Sequence, residues 1–179
     1  MVIPDYNFYY LADAEHNPGR GVVWTDVYLD PAGQGWMMSA IAPVYRGDFL
    51  EGVVGIDVTV DGILSEINGL PVPWDGYAML ISSDMNIMAM PPKAEQDFGL
   101  QELTSHTYQE AIRREIFKPA DFNLAQRTET AGLAEVLQAR DQGVEQLKLN
   151  DRALLVGWER VEQTGWRLLT VVDEETLFA

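Results

Sequence analysis

Asp26, Tyr28 and Asp30 stand at alternate positions in Trp24-Thr25-Asp26-Val27-Tyr28-Leu29-Asp30, and Asp57 interrupts an otherwise apolar run over 52–58. Alternate residues of an extended arm share one face. Carboxylates and a phenol on such a face suit an ammonium group, through charge-assisted hydrogen bonds and cation–π attraction. Asp57 sits among β-branched residues that read as a core strand. An unpaired buried charge is costly, so its carboxylate must meet water, a partner or a ligand. The competing reading is local: turn hydrogen bonds around Pro31 for Tyr28 and Asp30, and a strand-end hydrogen bond for Asp57.

Other chemistry has weaker footing. His16 and His106 belong to no metal-ligand spacing, and the chain lacks cysteine, which removes thiolate metal sites and cysteine nucleophiles. No phosphate loop, dinucleotide fingerprint or nucleophile elbow occurs. Paired acids such as Asp26 and Asp30 leave a small carboxylate-pair hydrolase as an alternative. Among 28 acidic residues such pairs arise by chance. The reading is therefore of a non-enzyme with no catalytic residue, no cofactor and no metal.

The elements that must position these residues read as follows. Strands are expected over 36–45 and 50–59, joined by the turn at Arg46-Gly47-Asp48, with a short helix following through Ile67. A short helix is expected around Phe8 to Ala12 and a strand or extended arm from Val22 to Tyr28. Gly69-Leu70-Pro71-Val72-Pro73 is the best internal boundary, dividing the chain into 1–70 and 71–179. Beyond it the expectation is a strand pair at 77–82 and 87–90. Helical periods include Tyr108, Ala111, Ile112, Glu115 and Ile116, and then Leu133 to Arg140. A closing strand pair precedes a final helix capped by Asp173. Strand, turn, strand, Asp and helix start recur in both halves. This fits an α+β fold of two related units with mostly antiparallel sheets flanked by helices.

The motifs Trp24-Thr25-Asp26-Val27-Tyr28-Leu29-Asp30, Pro43-Val44-Tyr45, Gly52-Val53-Val54-Gly55-Ile56-Asp57 and Thr164-Gly165-Trp166-Arg167-Leu168 together resemble the double Cache sensor domains. These are PAS-like extracytoplasmic modules of bacterial chemoreceptors, sensor histidine kinases and cyclic-dinucleotide signalling proteins. The resemblance implies a partial membrane-distal subdomain at 1–70, lacking its leading helix and first strands, and a membrane-proximal subdomain at 71–179. It implies that Tyr28, Asp30 and Asp57 hold the amino group of a ligand, and it aligns the family's Trp-Tyr pair with Phe8-Tyr9, adding Tyr9 to the site. The family's carboxylate-gripping arginine falls at Tyr6. The ammonium half of the site is thus kept without its carboxylate clamp, which points to an amine, an amino acid or a similar polar metabolite. A structural or protein-interaction domain with no small ligand is the remaining alternative.

Charge agrees with this. Acids outnumber bases 28 to 12 for a net charge of −16, with ten against two in residues 1–70. This balance disfavours nucleic acid as a partner, so none is expected, and it argues against broad docking on an anionic membrane. No stretch approaches the roughly 20 apolar residues that span a bilayer, and MVIPDYNFYY lacks signal-peptide character. The resemblance implies the soluble portion of a membrane-anchored receptor, periplasmic or extracellular. A sheet short of its first strands exposes an edge, so a homodimer is expected.

Overall fold

The computed structural model describes residues 3–108, 112 and 114–179. The chain folds as two compact units, Met1–Asp61 with Leu103–Lys118, and Gly62–Glu102 with Pro119–Ala179. The division thus differs from a single cut at residue 70, because the segment 103–118 returns to the first unit.

The first unit is built on a long hairpin. Strand β3 (Trp36–Arg46) pairs antiparallel with β4 (Phe49–Thr59), turning at Gly47 with φ +60. The other edge of β3 carries two short strands, β1 (Val23–Trp24) and β2 (Tyr28–Leu29). Helix α1 (Asn7–Tyr10) precedes them, and α2 (Val60–Asn68) continues directly from β4. Among the described residues no strand pairs with the outer edge of β4, where Val54 and Ile56 are exposed.

The returning segment is not the helix that its periodicity predicts. Tyr108, Ile112, Glu115 and Ile116 lie outside any helix, and Ala111 lies outside the described residues. Tertiary bonds override the local preference. The Tyr108 hydroxyl donates to the Asp30 carbonyl at 2.7 Å, the Leu29 amide to the Ile116 carbonyl at 2.8 Å, and Phe117 forms a bridge to Tyr28. Gly35, with φ +88, lets this segment approach. A β-carbon there would stand 3.1 Å from the Thr104 carbonyl oxygen.

The second unit has a complete antiparallel sheet ordered β6-β5-β9-β8-β7. Its strands are β5 (Tyr77–Ile81), β6 (Ile87–Ala89), β7 (Gln142–Leu149), β8 (Arg152–Arg160) and β9 (Arg167–Asp173). Helices α3 (Pro92–Phe98) and α4 (Ala131–Ala139) bury Phe98, Leu133 and Leu137. Trp158 lies 5% exposed, its ring over Gly143 of β7, where a β-carbon would come within 2.7 Å of it. Asp173 caps α5 (Glu174–Phe178) by accepting from the Glu175 and Thr176 amides. Each unit is an α+β module, and no helix among the described residues is long and apolar enough to cross a membrane.

Candidate ligand-binding site

A cleft of about 510 Å³ opens in the first unit, against β2 and one face of β4. Val53, Gly55 and Asp57 alternate along β4 and all line it, as the two-residue period of a strand requires. Ile41 of β3 and Phe8 of α1 supply apolar wall. Among the described residues the polar lining side chains are Tyr9, Tyr28, Asp30 and Asp57, with no lysine or arginine beside them.

Tyr28 and Asp57 are held through a third residue. Ser39 stands directly opposite Asp57 in the β3–β4 ladder. Its hydroxyl lies 2.6 Å from the Asp57 carboxylate and 2.7 Å from the Tyr28 hydroxyl. Ser39 is 1% exposed, and its amide donates to Thr25 Oγ1 at 2.8 Å. Burial pushes the Tyr28 phenol up to about 12, and the Asp57 and Asp30 carboxylates add to the rise. The phenol is therefore a neutral hydroxyl throughout the physiological range.

Asp30 has two duties. It lines the cleft, and its carboxylate oxygens accept the Ala32 and Gln34 amides at 2.9 Å each, closing the turn around Pro31. The local turn reading and the cleft reading are thus both present at this residue. Phe8 packs against Tyr28 with ring centroids 6.0 Å apart.

Asp26 does not reach the cleft lining. Between Trp24↔Ala40 and Tyr28↔Met37 the arm advances four residues while β3 steps three. One extra residue in the arm reverses the phase of alternation. Asp26 instead accepts the Val27 amide at 2.7 Å. Tyr6, at the position of the expected arginine, is 2% exposed and its hydroxyl donates to the Ile112 carbonyl at 3.3 Å. Ser39 was not marked by the sequence; its only trace there is one small hydroxyl within an apolar strand.

The second unit has a smaller polar pocket of about 200 Å³. There Arg152 bridges Asp97 and Asp173, Tyr77 donates to Asp97 at 2.8 Å, and Lys93 pairs with Asp75. Both cations are already matched by carboxylates, so the arrangement reads as an internal ion-pair network. Among the described residues no cluster of histidine and acidic groups could hold a metal.

No protein-family model matches the chain. It is 33% identical over 69 residues to the methyl-accepting chemotaxis protein PctB of Pseudomonas aeruginosa, covering 38% of this chain and 11% of that protein. Identity to the chemotaxis protein PscA of Pseudomonas syringae pv. tomato is 31% over 71 residues, 40% of this chain and 11% of the relative. Among solved structures, the ligand-binding domain of PctB in complex with L-Arg superposes with a TM-score of 0.64 at 19% identity, covering 98% of this chain and 62% of that one. The ligand-binding domain of the Pseudomonas fluorescens chemoreceptor CtaA with L-leucine gives 0.62 at 17%, with coverages of 98% and 62%. The extracellular domain of mmHK1S-Z2, assigned as a histidine kinase, gives 0.68 at 16%, covering 100% and 59%. The chain shares the Cache fold of these extracellular ligand-binding domains. The chain spans about three fifths of the length of these solved domains and about a tenth of the two chemotaxis proteins. The chain holds two α+β modules, the second with a five-stranded sheet and the first with no strand among the described residues on the outer edge of β4.

Proposed function

We propose that this chain is a non-catalytic, extracytoplasmic ligand-sensing domain of a bacterial transmembrane receptor, and that it takes a small polar molecule through a protonated amine. The observation that carries this reading is the cleft lining: two carboxylates and two tyrosines, with no cation among the described lining residues to match a ligand carboxylate. An ammonium group gains charge-assisted hydrogen bonds and an aromatic face there. Support comes from solved domains of the same fold that hold L-Arg and L-leucine. Tyr9, Tyr28, Asp30 and Asp57 make up the site. Binding signals only through its difference in affinity between two receptor states. The open edge of β4 supports a homodimer in solution, which mass measurement over a range of concentrations tests directly.

The deciding experiment is a thermal-shift screen of small amines and amino acids. A hit at 100 times its dissociation constant stabilises the protein by about 2.7 kcal/mol. Asp57→Asn removes that shift while leaving the unliganded melt cooperative. An unchanged response in this variant refutes the site.

A further inference from the structure

The Ser39 hydroxyl has a single proton and two oxygen neighbours, Asp57 at 2.6 Å and Tyr28 at 2.7 Å. An ionised carboxylate only accepts, so the Ser39 proton must go to Asp57, at the short distance typical of a charge-assisted O–H···O⁻ bond. Ser39 then accepts from Tyr28, whose own proton is committed to it. The chain of donation runs Tyr28 to Ser39 to Asp57, and its direction is set by the charge at its end.

We infer that Ser39 is the specificity-determining residue that fixes the hydrogen-bond polarity of the cleft, leaving Tyr28 with no proton to offer and making the site selective for ligands that donate. Asp30 supports the same polarity, because both its oxygens are carboxylate acceptors held by the turn amides. Of the polar side chains lining the cleft, Tyr9 alone keeps an uncommitted hydroxyl proton among the described residues. A bare carboxylate entering the cleft meets like charge and, from Tyr28, no donor. This inference deepens the ammonium reading above and names the residue that enforces it. Ser39 acts through Tyr28 and Asp57, as a positioning residue whose own side chain is buried under both.

Two measurements test it separately from that reading. Neutron diffraction from the ligand-free, deuterium-exchanged protein is expected to show the Tyr28 deuteron directed at Ser39 and the Ser39 deuteron directed at Asp57. A Ser39 deuteron directed at Tyr28, or a Tyr28 deuteron directed into the cleft, overturns the inference whatever the ligand is. Calorimetry with isoamylamine, L-leucine and 4-methylpentanoate then reads the consequence. The wild type is expected to prefer the amine over the carboxylate at least tenfold. Ser39→Ala is expected to reduce the ratio of isoamylamine to L-leucine affinity at least fivefold, and Ser39→Thr, which keeps the hydroxyl, to restore it. An unaltered ratio in folded Ser39→Ala overturns the inference. Relayed deuterons with no amine binding in the wild type would sink the ammonium reading and leave the polarity standing.

Discussion

The Arg20 guanidinium lies 4.0 Å from the ring centroid of Tyr45 and 2.8 Å from the Asp48 carboxylate. It also donates to the Gly47 carbonyl at 2.9 Å. One of only two bases in residues 1–70 is therefore spent on the β3–β4 turn rather than on the cleft. Arg20→Ala is expected to leave amine binding by calorimetry unchanged. Urea unfolding should show a loss of about 0.5–1 kcal/mol, as an exposed cation–π contact and a surface ion pair warrant. A tenfold loss of affinity would place Arg20 in the site.

In the second unit, Asp97 is 5% exposed between Arg152 and Tyr77. Removing the cation leaves a buried carboxylate with one hydroxyl donor and the lost ion pair. Arg152→Met is expected to cost about 3 kcal/mol, near the lower end for a broken buried pair, because half of the Arg152 side chain is in water. Asp97→Asn keeps an acceptor for Tyr77 and should cost about 1–2 kcal/mol. Urea titration of the double variant should show less than the sum of the two, by about 1 kcal/mol.

Acid stability should trace to Asp173. The Arg152 hydrogen bond holds its carboxyl below the usual range, and the Thr176 and Glu175 amides add to this. The unfolded chain releases that proton near pH 3.9. The contribution is therefore fully present above about pH 4 and is lost as pH falls through the lower folded value. Melting temperatures of wild type and Asp173→Asn should differ by a constant amount above pH 5 and converge toward pH 2. A gap that stays constant throughout would remove Asp173 from the account.

Tyr28 governs the opposite limb. Its phenol titrates near 10 unfolded and at about 12 folded. Stability from this group is complete below pH 10 and drains away between about 10 and 12. Tyr28→Phe should flatten that decline in a pH series of melts. Tyr77, raised by burial and Asp97, and Tyr10, raised by burial and Glu115, contribute to the decline that remains.

Gly143 has its own test. With the Trp158 ring where its β-carbon would be, Gly143→Ala must displace the indole from over β7. The expected cost is about 1–3 kcal/mol, with a blue or red shift in tryptophan emission. Wild-type emission and stability in this variant would mean that the ring yields freely.

The β3–β4 hairpin and the closing β8–β9 pair were legible in the sequence to within about a residue or two, since apolar runs broken by glycine and acid mark strands and turns strongly. That Tyr28, Asp30 and Asp57 lie near one another was legible, because strand spacing and the family resemblance agreed on them, and all three line one cleft. Asp26 was misplaced for a definite reason: alternation counts residues along one strand, whereas facing depends on register with the next, and the extra residue lies in the arm. Tyr108, Ile112, Glu115 and Ile116 fit a helical period yet lie outside any helix, because the Tyr108 hydroxyl and the Ile116 carbonyl find partners around Leu29 and Asp30. Strand β7 went unmarked, although Gly143 beneath Trp158 is its signature. The Asp97–Arg152 pair joins residues 55 apart, a distance at which one sequence gives no sign of pairing.

Strand β4, bonded on one side only among the described residues, has a consequence for how its amides trade protons with solvent. Along an antiparallel strand, successive amides point to opposite sides. Those directed at β3 are shielded, and those between them face outward. Over 52–59, clear of the irregularity at Glu51, hydrogen exchange should therefore resolve into two interleaved classes, slow and fast, residue by residue. The fast class reports the open edge itself. If it becomes slow as protein concentration rises, a second chain has docked there, and the residues that slow give the register of that pairing.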